Sequence, residues 1–157
     1  MFEIREATEA DLEGISKLIK SEEELFLVYP SGKYPFTKEQ IVELFEVRKE
    51  LTVAIERNKI VGFANLYDYE PGSSVFIGNL VVDDQHRGRG LGRALVLHML
   101  NIAFTNLNLP EVRISVFSEN SPALLLYSRI GFIPYKIEER TNPQGRRVAL
   151  IHMKLSR

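Results

Sequence analysis

Arg87-Gly88-Arg89-Gly90-Leu91-Gly92 follows an apolar run ending at Val82 and opens a stretch with helical spacing. Each of the three glycines weakens a helix start by about 1 kcal/mol relative to Ala, so something must offset them. Close backbone approach is the offset these residues suggest. Without Cβ atoms, successive N–H groups converge on an anion, and a helix start adds roughly half a positive charge. Arg87, Arg89 and Arg93 add full charges. The fitting ligand is a phosphate or pyrophosphate; the plain alternative is a solvated turn with incidental arginines. A P-loop would need G-x-x-x-x-G-K-[ST], and a dinucleotide fingerprint would need Gly where Arg93 stands.

A second constellation runs from Asn120 to Phe132, NSPALLLYSRIGF. Ala123, Tyr127 and Ile130 fall at i, i+4 and i+7 and share one helix face. Asn120 sits just ahead of that helix with an uncommitted amide. Alone, Tyr127 reads as a core tyrosine with a satisfied hydroxyl.

The two stretches together resemble the signatures of GNAT-type N-acetyltransferases. R-x-x-G-x-G, at Arg87, Gly90 and Gly92, is similar to that family's coenzyme A pyrophosphate loop, and N-x-x-A-x-x-L-Y-x-x-x-G-F matches its second motif at every named position. The resemblance implies an acetyl-CoA cosubstrate held by Arg87–Arg93, Gly88, Arg89 and Leu91 included. Leu80, Val81 and Val82 would pair with the pantetheine arm, a backbone N–H of that strand facing the thioester oxygen. Asn120, Ala123 and Tyr127 would face the thioester end, with Tyr127 as general acid. It implies direct transfer to a primary amine of a small molecule, or of a peptide or protein lysine or N-terminus. Independently, the chain has no cysteine, which excludes a cysteine acyl-enzyme.

The base that would take the amine's proton is not identifiable. The strand at 75–82 carries no acid until Asp83 and Asp84, which follow it and are expected in solvent. Asn79 and Ser115 are candidates to hold a water, with Asp68, Glu70 or Glu119 as its sink. On the acceptor side, Phe26, Tyr29, Tyr34 and Phe36 crowd a segment braced by Pro30 and Pro35; it either roofs an acceptor cleft or packs as a loop. Glu22–Glu24 are expected near a helix C-terminus, as a solvated acidic face or a lure for a cation. His98 is expected to pack or lie at the surface.

These residues need a scaffold, and 157 residues suit one domain, 1–157, with one core. Alternation at 2–7, 52–57, 60–67, 75–82 and 112–117, and in two strands hinged on Asn142-Pro143-Gln144-Gly145, predicts strands. Helices are expected from Thr8 through Ile19, from Thr37 to about Glu50, over 90–106, and from Ser121-Pro122 to Gly131. The expected order is β-α-α-β-β-β-α-β-α-β-β, a mixed, mainly antiparallel α/β sheet flanked by helices.

Net charge −1, from 20 Lys plus Arg against 21 Asp plus Glu, argues against nucleic acid or a membrane surface as general partner, and against strongly basic acceptors. Three scattered histidines give no metal-ligand spacing. Acids near the start, where a signal peptide is apolar, and the lack of a long apolar run favour a soluble cytoplasmic protein. The resemblance leaves a homodimer open, with no dimer signal in the residues. Two rivals remain: a non-catalytic CoA sensor, which would dispense with Tyr127, and a nucleotide-binding module, which would leave Asn120 and Tyr127 unexplained.

Overall fold

The computed structural model describes residues 2–157. Seven strands form one sheet in the order β1-β2-β3-β4-β5-β7-β6. They are β1 Glu3–Glu6, β2 Lys49–Glu56, β3 Lys59–Glu70, β4 Ser74–Val82, β5 Glu111–Phe117, β6 Ile133–Thr141 and β7 Arg147–Ser156. All neighbours are antiparallel except β4 and β5. Five helices flank the sheet: α1 Leu12–Ser16, α2 Glu22–Val28, α3 Lys38–Val47, α4 Leu91–Asn101 and α5 Ser121–Ile130.

Strand alternation sorts the core onto two faces. Val53, Phe63 and Val81 pack with Ile15, Ile41 and Leu44 under α1 and α3. Ala64, Leu66, Val75 and Ile77 pack with Val96 and Met99 of α4 and Tyr127 of α5. Among the described residues no helix is long and apolar enough to cross a membrane.

The expected element order holds except for one added helix. The predicted helix from Thr8 to Ile19 is instead a 3₁₀ turn, Glu9–Asp11, followed by the short α1. Residues read as a connecting loop form α2, announced by Ser21-Glu22-Glu23-Glu24: the Ser21 hydroxyl accepts the Glu24 N–H at 3.1 Å, an N-cap. Glu22–Glu24 therefore lie in a first turn, where negative charge is favourable, not at a C-terminus. The helix predicted to reach Glu50 stops at Val47, and Lys49 already pairs with Leu66 in the sheet. α4 ends at Asn101 and passes into one π-helical turn, Ile102–Asn106. Asn120, not Ser121, caps α5.

One irregularity governs the middle of the sheet. Phe63 opposes Val81 while Asn65 opposes Gly78, so β4 has one extra residue, a bulge in which Asn79 takes φ +49°. The bulge flips strand parity: Val75 and Ile77 face α4, and beyond it Leu80 and Val82 do.

Near the N-terminus, Arg5 forks onto Asp11 at 2.8 and 2.9 Å, and the Thr8 N–H reaches the same carboxylate at 2.8 Å. The Arg5 bond holds Asp11 below the usual carboxylate range. Asp11→Ala is expected to remove about 2 kcal/mol of stability at neutral pH, the scale of hydrogen bonds to a charged group. Because the folded pKa is depressed, that advantage is complete above about pH 4, the unfolded value, and fades as pH falls through the folded one. Urea unfolding of both proteins at pH 7 and pH 3 measures it.

Candidate active site

β4 and β5 pair only from Ser74–Glu111 to Ile77–Ile114, although both strands run on. Past that point they part. The opening is a cavity of about 520 Å³ lined by Gly78, Asn79 and Leu80 on one side, Ser115, Val116 and Phe117 on the other, and Asn120 and Tyr127 from α5. Backbone groups of β4 beyond Ile77 thus have no β5 ladder to complete them, which suits an extended ligand with its own amides.

At the far end of β4, Gly88 (φ +77°) and Gly90 (φ +82°, the N-cap of α4) turn the chain into the helix with no atom within 4 Å of where a Cβ would stand. The free N–H groups of the first turn face outward there. Arg87 is held by Glu24 at 3.2 Å and Arg89 by Glu56 at 2.8 and 3.0 Å, leaving Arg93 exposed. The Arg89 bond lowers the Glu56 carboxyl to about 2. Asp83, expected in solvent, is buried at 2% exposure, bonded by Lys20 at 3.2 Å and His86 at 2.7 Å.

Tyr127 is 5% exposed and packs edge-on to Phe132. Its hydroxyl has no hydrogen-bond partner among the described residues, yet no unpartnered side-chain atom is sealed from solvent. The hydroxyl therefore opens into the cavity, and burial pushes its pKa up. Asn120 likewise caps α5 without using its side chain. The Val81 side chain lies in the α1–α3 core, so only its backbone is available to a ligand.

The acceptor-side expectations divide. Tyr29 and Ser115 line the cavity, as does Asp68. Phe26 stacks on Phe117 with ring centroids 4.5 Å apart, and Tyr34 is exposed elsewhere; neither lines the cavity. Phe36 is core. Asn79 also lines the cavity, with its amide engaged by protein groups. Its amide oxygen accepts from Arg48 (2.8 Å) and Asn65 (2.8 Å), and its NH₂ donates to Val28 O (3.0 Å), tying α2 to β4.

Arg48, Tyr67, Glu138 and His152 are among the cavity residues that the sequence did not mark as part of a site. Ser115 Oγ lies 2.7 Å from His152 Nδ1, and His152 Nε2 lies 2.8 Å from Glu138 Oε1. Arg140 first, then His152, lowers the Glu138 carboxyl to about 2, so it stays ionised. The β5–β7 ladder makes this chain possible by setting Ser115 opposite His152. Only knowledge of that register could have exposed it.

Fold and cleft together define a mixed α/β domain with an open cleft between β4 and β5 and a glycine turn at the far end of β4. The profile of the acetyltransferase (GNAT) family matches residues 15–132, and the chain belongs to that family. It is 34% identical over 103 residues to the peptidyl-lysine N-acetyltransferase YjaB of Escherichia coli, covering 65% of this chain and 62% of that protein. An uncharacterized N-acetyltransferase, YokL, of Bacillus subtilis is 29% identical over 61% of this chain and 55% of its own. The chain thus spans less than two thirds of these relatives. Among solved structures, smu.2055 from Streptococcus mutans superposes with TM-score 0.79 at 27% identity, covering 98% of both chains. A Salmonella typhimurium acetyltransferase described with acetyl-CoA shares the fold at TM-score 0.79 and 19% identity, covering 99% of this chain and 94% of its own.

Gly78 makes room in the cavity wall: a Cβ there would stand 2.6 Å from the Tyr67 ring and closer still to Arg48 Nη1. Gly78→Ala is expected to destabilise by about 1–3 kcal/mol through overpacking, read as a lowered urea midpoint.

Proposed function

We propose that this chain transfers an acetyl group directly from acetyl-CoA to a primary amine. The observation that carries the reading is the parting of β4 from β5, with an anion-ready glycine turn at one end and the unpartnered Tyr127 hydroxyl at the other. Leu80–Val82 backbone would pair with the pantetheine amides, Gly88–Arg93 would take the pyrophosphate, and a β4 N–H would face the thioester oxygen. A non-catalytic sensor would leave the Tyr127 hydroxyl and the Ser115–His152–Glu138 chain without a task.

Tyr127 donates its proton to the departing sulfur. A thiol near pKa 8.5 against a phenol near 10 makes that step uphill by about 2 kcal/mol in water. Burial acts on a thiolate formed in the same cleft as well as on Tyr127, so it does not by itself widen the gap. On the other side, the amine's proton passes to Ser115 Oγ as the Ser115 hydroxyl proton passes to His152 Nδ1. Glu138, ionised, faces the resulting imidazolium at Nε2.

Tyr127→Phe is expected to lower kcat at least tenfold while calorimetry shows acetyl-CoA binding unchanged; loss of binding instead would return Tyr127 to a packing role. His152→Gln is expected to lower kcat about tenfold or more at pH 7, with the deficit shrinking as pH approaches ~10, where a lysine-like amine deprotonates unaided. A uniform deficit across pH would mean that His152 only shapes the cleft.

A further inference from the structure

Arg48 is set apart by its burial: among the described residues Arg57, Arg93, Arg129, Arg146 and Arg157 also meet no carboxylate, but all five are exposed, whereas Arg48 is half-buried. Arg5, Arg87, Arg89, Arg113, Arg140 and Arg147 each meet a carboxylate. The Arg48 guanidinium lies in the cavity wall, its central carbon 4.2 Å from the Tyr67 ring centroid. Nη1 donates to Asn65 (3.1 Å) and Asn79 (2.8 Å), and among the described residues no carboxylate lies within ion-pair distance. Nε and Nη2 have no partner, and no unpartnered side-chain nitrogen is sealed from solvent, so these donors remain reachable. Desolvation pulls the guanidinium's pKa below its ordinary value.

Bracing the bulge accounts for Nη1 alone. It leaves unexplained why a fork of charged donors, rather than a neutral amide, is set into this wall. The rest of the wall sharpens the question. Arg113, Lys136 and Arg140 line the cavity with Arg48, against Asp68 and Glu138, and Glu138 already serves Arg140, Lys136 and His152. With Arg113 neutralised by Glu111, the lining keeps one more positive than negative charge, an unfavourable setting for a polycationic acceptor. Asp68 acts on this half-buried cation only from beyond ion-pair distance, so a ligand that brings an anion into contact stabilises it, and a guanidinium fork matches a carboxylate in two bonds.

We infer that the acceptor is a small amine that carries its own carboxylate, an amino-acid-type compound, and that Arg48 is the residue that binds that carboxylate. The inference rests on the acetyl-transfer reading above and adds the class of acceptor. With its anion on Arg48, such a molecule places its amine within the same cavity as Ser115 and Tyr127.

The test is thiol release from acetyl-CoA with a panel of free amino acids, each against its own carboxamide, plus spermidine. The same compounds are titrated calorimetrically into the protein–CoA complex. At least one acid should exceed its amide tenfold or more in kcat/KM or in affinity, and spermidine should trail it. Arg48→Gln should collapse that acid-to-amide ratio to within about twofold, with acetyl-CoA binding intact; Arg48→Lys, which keeps the charge and loses the fork, should retain part of it. Amides or spermidine equalling the acids in the wild type overturns the inference even if neither variant folds. Equal loss on acid and amide in Arg48→Gln also overturns it, leaving Arg48 as a brace. Failure of acetyl-CoA itself to bind is a different result, and counts against the acetyl-transfer reading instead.

Discussion

A parallel pair that stops halfway is the constraint on which the remaining structure turns. β4 and β5 share only four register positions, Ser74–Ile77 against Glu111–Ile114, and then separate. Two strands do not part without support, and here it comes from the bulge at Asn79. The inserted residue turns β4 away from β5 and is fixed in its left-handed conformation by three hydrogen bonds to Arg48, Asn65 and Val28. The same side chain therefore holds the wedge, the wall and the roof: β3 through Asn65, the α3–β2 junction through Arg48, and α2 through the Val28 carbonyl.

α2 closes the structure above this gap. Leu25 is buried beneath it and Phe26 stacks on Phe117 at the end of β5, so the helix spans the mouth that the parted strands leave. On the opposite face, α5 brings Tyr127 up to the same opening from a core position shared with Phe132 and Met153. Groups from distant parts of the chain thus meet in one cleft because the sheet is interrupted, and each is anchored in ordinary apolar packing a residue or two away. That combination holds reactive side chains in place without requiring the cleft itself to be filled.

The parts legible in the sequence were those whose chemistry is local. Gly88 and Gly90 declare a turn because their positive φ values are what glycine permits, and the Asn120–Phe132 stretch keeps its helix face and its glycine stop within 13 residues. α2 had a local signal too, Ser21 with Glu24 three residues on, but its seven residues show little helical periodicity and two prolines soon follow. The Ser115–His152–Glu138 chain and the Arg48–Asn65–Asn79 cluster had no local signal at all. They join residues 14 to 37 positions apart through strand register, and the single inserted residue in β4 decides which way Asn79 faces. Asp83 shows the same limit: it reads as a solvated turn acid, and although His86 is a neighbour in the turn, only the fold brings Lys20 to it.

The arginines of the glycine turn are already engaged, Arg87 with Glu24 and Arg89 with Glu56. An anion arriving at this turn exchanges one set of carboxylate contacts for another set of oxyanion contacts rather than neutralising bare charge. Dissolved salt screens the contacts given up as well as those gained. The affinity of such a site depends on ionic strength far less steeply than three arginines in a row would suggest, because only Arg93 enters the exchange uncommitted.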